Sequence, residues 1–185
     1  MLYHGSKEQG LRYLEPHVST HGKSYVYAIN NKITAACFGA SHDDFDFLMD
    51  EIDGVPHLYE CYPNSIEKVY EGKSCYIYEV SEEGFIVGKT GWSAELVCEH
   101  EVPVINEDYV KDLYALLKEA ERQGKCVIHY YSEETKYRDM LKEQLGARIK
   151  AFKLTDEQIQ NDPRLKRFME EIGDSDETEE CIDCS

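Results

Sequence analysis

The sequence is poor in positive charge. It has 20 Lys and Arg residues, of which six are arginines, against 37 Asp and Glu residues, and its formal net charge is −17. Proteins bind phosphate backbones and anionic lipid headgroups largely through Lys and Arg side chains. We therefore expect neither nucleic acid nor a membrane surface among the partners of this protein.

Long apolar segments are also absent from the sequence. No apolar run approaches the roughly 18 residues that a membrane-spanning helix needs, and no charged, apolar leader precedes the first predicted strand. There are seven cysteines, and five of them are widely spaced in apolar surroundings. Free thiols are typical of a reducing compartment, so we expect a cytoplasmic protein. These five cysteines are Cys37, Cys61, Cys75, Cys98 and Cys126.

The other two cysteines form a C-x-x-C pair, Cys181 and Cys184, near the C-terminus. Such a pair can bind a metal ion or cycle between redox states, but one pair without a second, outside a βαβ context, is a weak signal for either. The surrounding residues 174–185 are almost all acidic or small, and this composition predicts a disordered tail. We therefore assign no metal site.

Strand patterns dominate the first two thirds of the sequence, and helix patterns cluster towards the C-terminus. Four short strand candidates, bounded by Gly, Pro, Asn or Ser, fill residues 57–105. This arrangement predicts an α+β fold instead of a regular βαβ alternation. We expect one domain over residues 1–173, with a core at 1–105 and a C-terminal extension of helices and a strand at 106–173.

Several element boundaries can be predicted from local signals. The clearest helix pattern covers 107–123, with Asn106 as its N-cap and Gly124 as its stop. A later helix is expected to end at Gly146, followed by a strand at 147–154 and a last helix at about 156–172. Residues 41–56 mix acidic and apolar residues, which indicates a solvated loop or a short helix.

Three short stretches carry residues suited to chemistry. The first is Tyr3-His4-Gly5-Ser6 on an early strand. The second is the strand Val26-Tyr27-Ala28, which precedes a helix pattern with Phe38 at its end. The third is Glu95-Leu96-Val97, the start of a late strand. Each has a common structural explanation when taken alone, because strand aromatics are often core residues and a strand Glu often faces solvent.

In this order and spacing, the three stretches resemble the ADP-ribosyltransferase superfamily, in its diphtheria-toxin and poly(ADP-ribose) polymerase branch. That branch has His-Gly-Ser or His-Gly-Thr on its first core strand, a Tyr in a short apolar strand, a second aromatic eleven residues later and a Glu that opens a late strand. His4-Gly5-Ser6, Tyr27, Phe38 and Glu95 match these elements in turn. The resemblance covers about residues 1–105, and the layout is also similar to that of a family of uncharacterised bacterial proteins.

The resemblance implies a fold with split antiparallel β-sheets and flanking helices, and NAD as the substrate. It implies a dinucleotide as the small-molecule partner and leaves the acceptor of ADP-ribose open. The implied catalytic residues are His4, Tyr27 and Glu95. The implied dinucleotide-binding residues are Gly5, Ser6, Tyr25, Ala35 and Phe38.

Elementary chemistry fits these assignments. Cleavage of the nicotinamide glycosidic bond passes through an oxocarbenium-like transition state, which a carboxylate such as Glu95 stabilises. A flat pyridinium cation is attracted to aromatic faces, which Tyr27 and Phe38 supply. Gly5 allows the main chain to approach the carboxamide, and His4 is expected to donate a hydrogen bond to a ribose hydroxyl.

Two features leave alternatives open. Ala35 stands where the polymerases carry a serine that bonds the nicotinamide amide, which favours a non-catalytic module that binds ADP-ribose or a protein. Glu99 and Glu101 lie close to Glu95 and are competing candidates for the site carboxylate. The run Glu99-His100-Glu101 looks like the Glu-x-Glu motif of the arginine-specific transferases, but that branch also needs an early catalytic Arg and a Ser-Thr-Ser strand, and the sequence has neither. An RNA 2′-phosphotransferase needs several arginines, and the low Arg count speaks against it.

Overall fold

The computed structural model of the protein describes residues 1–18, 22–90, 92–131 and 137–176, with residues 171–176 described by their main chain. Most of the predicted acidic tail, including Cys181 and Cys184, lies outside these residues. Within the described ranges, none of the helices combines the length and the apolar composition that crossing a bilayer requires.

The chain forms eleven strands and six helices within the described ranges. The strands are β1 (Leu2–Ser6), β2 (Tyr13–Leu14), β3 (His17–Val18), β4 (Ser24–Ile29), β5 (Phe47–Ile52), β6 (Val55–Glu60), β7 (Cys75–Val80), β8 (Ile86–Val87), β9 (Glu95–Cys98), β10 (Val102–Val110) and β11 (Val127–His129). The helices are α1 (Lys32–Cys37), α2 (Ser65–Tyr70), α3 (Leu113–Arg122), α4 (Arg138–Ala151), α5 (Asp156–Asn161) and α6 (Pro163–Asp176).

The strands form two sheets. The larger sheet has the order β2-β10-β7-β1-β4-β9-β8, with β3 also paired to β4, and all its recorded pairs are antiparallel. The smaller sheet has the order β11-β6-β5, in which β5 and β6 are antiparallel and β6 and β11 are parallel. This arrangement confirms the α+β class and the antiparallel character of the larger sheet, whereas the smaller sheet is mixed.

The prediction of a loop or short helix over 41–56 is wrong for its second half. β5 and β6 form a hairpin whose turn is Asp53-Gly54, with φ angles of 52° and 77°. Two successive residues with positive φ match the twist of antiparallel strands, and Asp-Gly is a preferred sequence for such a turn. The Asp53-Gly54 pair was therefore a local signal for a hairpin. The mixture of acidic and apolar residues around it led to the prediction of a loop or short helix instead.

The helix predicted from residue 107 starts later, and Asn106 is not its N-cap. β10 continues through Val110 because it pairs with β7 as far as Val110 opposite Cys75. Helix α3 then begins at Leu113, and the Asp112 side chain caps it by accepting a hydrogen bond from the Ala115 N–H at 2.9 Å. Pairing with a distant strand overrides the local helix pattern in the first turn.

The predicted strand at 147–154 is also wrong, since α4 runs from Arg138 to Ala151. Gly146 does not end this helix, because Ile149, one turn beyond Leu145, packs against the same buried cluster as Leu141 and Leu145. A glycine inside a helix costs about 1 kcal/mol relative to alanine, and the partial burial of Ile149 beyond it offsets that cost.

The last predicted helix is in fact two helices. α5 ends at Asn161, and α6 begins at Pro163, whose missing N–H and fixed φ suit the first position of a helix. α6 continues to Asp176, so the first three residues of the predicted tail are helical in their main chain.

The buried residues form clusters on both faces of the larger sheet. One cluster joins helices α1, α2 and α3 to the smaller sheet and includes Tyr70 and Leu113. The opposite cluster includes Leu2, Val26 and Tyr78. The C-terminal helices form a third cluster over β5.

The five cysteines in apolar contexts are all free and buried. Burial raises the pKa of Cys61 to about 12 and the pKa values of Cys75 and Cys126 to about 11. The pKa of Cys37 is raised further by burial and by its cysteine neighbours. Thiols in this state stay protonated and act as small apolar side chains.

A buried carboxylate joins the smaller sheet to its neighbours. Glu60 at the end of β6 is 2% exposed. One of its oxygens accepts from the Ile66 N–H at 3.2 Å and the other accepts from the Tyr131 N–H at 3.0 Å. Glu60 therefore satisfies main-chain donors at the first turn of α2 and just beyond β11.

Glu60→Ala is expected to lower the free energy of unfolding by about 3 kcal/mol, because it strands two N–H groups whose burial without a partner costs about 1–3 kcal/mol each. Urea unfolding monitored by circular dichroism measures this change. The exposed Glu71 supplies the control, since Glu71→Ala should change stability by less than about 0.5 kcal/mol. Equal stability of the two variants would contradict the role of Glu60.

A candidate active site between two diverging strands

The central strands β1 and β4 pair at one end only. Over residues 2–6 and 24–29, all of which the structure describes, they share one register pair, Tyr3 opposite Ile29. β1 pairs with β7, its other neighbour, at five positions. Continuing the register would bring Gly5 opposite Tyr27, but the strands have separated there.

A cavity of about 900 Å³ opens where the strands separate. Its volume lies within the range of small-molecule and cofactor sites. His4 from β1, Tyr27 from β4 and Glu95 from β9 all line it. The three strands are adjacent in the larger sheet, so residues from distant parts of the sequence meet at one opening.

His4 bridges the gap between the separated strands. Its Nδ1 lies 2.8 Å from the carbonyl oxygen of Tyr27. A carbonyl only accepts, so Nδ1 carries the proton and Nε2 of the neutral ring is an acceptor. Burial lowers the pKa of His4, and nearby His17 lowers it further, against the effect of the Tyr27 carbonyl. A neutral His4 would accept a hydrogen bond from a ribose hydroxyl. The sequence led us to expect the opposite direction, with His4 as the donor.

Tyr27 is supported by other aromatic rings. Tyr25 contacts it edge-on, with ring centroids 6.0 Å apart. The ring centroids of His17 and Tyr27 are 5.7 Å apart. Tyr25 is 4% exposed and is not among the described residues that line the cavity. Its observed contact is with Tyr27, and the dinucleotide-binding role that the resemblance implies for it stays a prediction.

A second aromatic group borders the cavity at the end of α1. Phe38 is the C-cap residue of that helix and is 41% exposed. Its ring centroid lies 6.1 Å from that of Trp92 and 5.7 Å from that of His42. All three line the cavity, and Trp92 is the single tryptophan of the sequence. The cavity thus has a natural fluorescent reporter.

Glu95 is the first residue of β9 and is half-buried. It pairs with Ile29, which places the Glu95 and Tyr27 side chains on the same face of the sheet. Its N–H donates to the Trp92 carbonyl at 3.2 Å, which closes the turn before β9. Glu99 and Glu101 lie beyond the end of β9, are exposed and do not line the cavity.

Gly5 is required by helix packing. A Cβ atom on this residue would lie 2.1 Å from the Ala35 carbonyl oxygen and 2.7 Å from the Gly39 nitrogen. Helix α1 therefore rests directly on β1 at Gly5. Ala35 itself is 1% exposed, and both residues line the cavity.

Ser6 also lines the cavity and stabilises the turn that follows β1. Its hydroxyl accepts from the Glu8 N–H at 3.1 Å. The next residue, Lys7, donates from its ammonium to the Ser41 hydroxyl. The end of β1 is thereby tied to the segment after α1.

Sequence reasoning missed one wall of the cavity. The segment Ser41–Asp44 lines it, as does Arg148 from α4, which donates from Nη1 to the Asp44 carbonyl. The run Ser41-His42-Asp43-Asp44, which directly follows Gly39-Ala40, was a polar signal that could have been used. Arg148 had none, since only the tertiary fold brings α4 to this place.

The electrostatics of the cavity favour a neutral His42. Burial lowers the pKa of His42, although the Ala40 carbonyl and the nearby aspartates oppose this effect. Nδ1 of His42 lies 3.3 Å from the Ala40 carbonyl oxygen, and the ring contacts Phe47 at a centroid distance of 4.9 Å. Among the described residues, no three His, Cys, Asp or Glu side chains are grouped so that they could hold a metal ion.

Comparisons of the chain with protein-family models, with curated proteins and with solved structures find no match. The site residues and their geometry are therefore the basis for a proposed function.

Gly5→Ala is expected to destabilise the protein and to open the cavity wall, because the added methyl forces α1 away from β1. Overpacking of this kind typically costs about 1–3 kcal/mol. Thermal unfolding measures the loss. Gly146→Ala is the matched control, since nothing lies within 4 Å of a Cβ at that helical position. A melting temperature of Gly5→Ala at or above that of the wild type would contradict the close approach.

The lowered pKa of His4 predicts acid sensitivity. The unfolded chain binds this proton at a higher pH than the folded one, so the stabilising contribution is complete above pH 6.5 and is lost as the pH falls below it. His4→Asn keeps a donor for the Tyr27 carbonyl and does not titrate. We expect its melting temperature to fall less than that of the wild type between pH 7 and pH 5.

The exposed His100 provides the comparison for this measurement. His100→Asn should keep the pH dependence of the wild type. Parallel melting curves for all three proteins across this range would show that His4 does not contribute to the acid sensitivity.

Proposed function

We propose that this protein cleaves the bond between nicotinamide and ribose in NAD and transfers ADP-ribose to an acceptor or to water. The observation that carries the proposal is the meeting of His4, Tyr27 and Glu95 at one cavity. These residues come from three adjacent strands and are separated by 23 and 68 positions in the sequence. Nothing local in the sequence forces them together.

Glu95 would stabilise the charge that develops on the ribose. When the glycosidic bond breaks, its electron pair leaves with nicotinamide, and C1′ becomes a cation-like centre. A carboxylate near that centre stabilises the transition state more than the ground state. The acceptor oxygen or nitrogen then bonds to C1′ and releases its proton to solvent.

The aromatic residues would hold the cationic nicotinamide ring. Tyr27 lies on one side of the strand gap, and Phe38 and Trp92 lie near the end of α1. Cation–π attraction to such faces contributes about 0.5–2 kcal/mol, with the larger values in desolvated sites. The attraction is weaker after the reaction, because free nicotinamide is neutral, and product release is thereby favoured.

His4 would orient the ribose through its free acceptor nitrogen. The hydrogen bond from Nδ1 to the Tyr27 carbonyl fixes the ring, so Nε2 is presented in a constant direction. A ribose hydroxyl can donate to it without any change in the protonation of His4. In this proposal the fold is ADP-ribosyltransferase-like, with the site at the split between β1 and β4.

A second function is favoured by one observation. Ala35 is buried against Gly5 and brings no hydroxyl to the cavity, so a hydrogen bond to the nicotinamide amide is lost from this position. A module that binds ADP-ribose or a protein, without cleaving NAD, has no need of that bond. The two functions differ in whether nicotinamide is released.

Incubation with NAD labelled in the nicotinamide ring, with and without cell extract, tests the proposal. The wild type should release labelled nicotinamide. Glu95→Gln should lower turnover by about 10²–10³-fold, the usual loss for one electrostatic contact to a transition state, with NAD affinity nearly unchanged. Glu99→Gln is the matched control, since Glu99 is exposed just beyond the same strand, and it should keep the wild-type rate.

The outcomes separate the two functions. ADP-ribose binding without nicotinamide release by the wild type would support the binding module. Equal loss of affinity and turnover in Glu95→Gln would assign Glu95 a structural role. Equal rates for Glu95→Gln and Glu99→Gln would contradict the catalytic assignment.

A further inference from the structure

The cavity wall formed by Ser41–Asp44 belongs to a segment without regular structure, which ends at Asp46 where β5 begins. Two helices of the C-terminal extension contact this segment: α4 through Arg148 and α6 through Arg164. The position of the wall therefore depends on residues more than a hundred positions away in the sequence.

Arg164 makes the most extensive of these contacts. Its guanidinium contacts three carboxylates, with Nη1 2.7 Å from Asp46 Oδ1 and Nη2 2.7 Å from both Asp43 Oδ2 and Asp162 Oδ2. Its side chain is 28% exposed, whereas that of Asp46 is 10% exposed. The planar fork of arginine can bridge several oxygens in this way, and a lysine ammonium is a single point charge.

Asp46 links Arg164 to the cavity wall. Its second oxygen accepts from the Asp43 N–H at 2.9 Å, and its first oxygen also accepts from the Tyr62 hydroxyl at 2.8 Å. Asp43 in turn accepts from the Phe45 N–H at 2.8 Å. One guanidinium thus fixes both ends of the Asp43–Asp46 turn, and Asp43 is the residue of this network that lines the cavity.

We infer that Arg164 is a positioning residue for the cavity: it sets the place of the Ser41–Asp44 wall without lining the cavity itself. The wall carries His42, whose ring contacts Phe38, so its displacement would move the aromatic end of the site as well. The choice of ADP-ribose as the ligand rests on the proposed function. The geometric part of the inference does not, because it concerns the wall of the unliganded protein.

The test separates positioning from stability. Arg164→Met leaves the buried Asp46 charge unpaired, so it is expected to lower both the melting temperature and ligand affinity. Adding Asp46→Asn removes that charge and keeps an acceptor for Tyr62, but the amide NH2 cannot accept from the Asp43 N–H. The single variant Asp46→Asn, which keeps Arg164, is therefore the reference for the double variant. The double variant should recover most of the melting temperature but should still lack the fork that joins α6 to the wall.

Affinity for ADP-ribose, read from Trp92 fluorescence, supplies the first measurement. We expect the double variant to bind about tenfold more weakly than Asp46→Asn alone, within the range typical of residues that act on a site through others. Arg164→Lys should be intermediate. Arg122→Gln removes an exposed ion pair with Glu119 on α3 and should bind as the wild type does. Equal affinity of the double variant and of Asp46→Asn would overturn the inference.

Hydrogen exchange of the unliganded protein supplies the second measurement. The amides of Asp43, Phe45 and Asp46 should exchange faster in the double variant than in Asp46→Asn alone, while the Ile66 amide, bound to Glu60, should be unchanged. Unchanged exchange at the three wall amides would overturn the inference whether or not a ligand binds. If the wild type binds neither NAD nor ADP-ribose, the proposed function fails, and the exchange data alone decide the role of Arg164.

Discussion

The structure depends on one interruption in its central sheet. β1 and β4 pair at Tyr3 and Ile29 and then separate, although their register would continue to Gly5 and Tyr27. Unpaired main-chain groups inside a protein are costly, so the gap needs polar partners. The His4 imidazole, hydrogen-bonded to the Tyr27 carbonyl at 2.8 Å, supplies one of them. The same separation creates the cavity and gives His4 its fixed tautomer.

Helix α1 maintains this interruption from one side. This helix contacts β1 at Gly5. Any side chain at that position would collide with the Ala35 carbonyl oxygen. The C-terminal helices contact the segment that follows α1, through Arg148 and Arg164. In a chain with six arginines and a net charge of −17, both arginines bind oxygens of one short segment that borders the cavity.

The residues around the cavity were easier to predict than the elements that hold them. His4, Tyr27, Phe38 and Glu95 stand in short motifs with a recognisable order, and seven of the eight implied residues line the cavity, Tyr25 being the exception. Arg148 and Arg164 could not be predicted, because their contacts join residues 104 and 118 positions apart and follow from tertiary packing.

The errors in secondary structure have a similar physical cause. β10 extends through a helix-like sequence because β7 offers it a partner as far as Cys75. α4 continues through Gly146 because Ile149 beyond it packs against the buried cluster of the C-terminal helices. The β5–β6 hairpin is different, since its Asp53-Gly54 turn is a local signal that was present in the sequence.

The crystal structure of the Glu95→Gln variant with NAD would test the central claim most directly, because slow turnover would keep the substrate intact. The account predicts the nicotinamide ring against Tyr27 and Phe38, with a ribose hydroxyl on His4 Nε2 and C1′ facing residue 95. Nicotinamide bound elsewhere on the protein, or an empty cavity at saturating NAD, would contradict it.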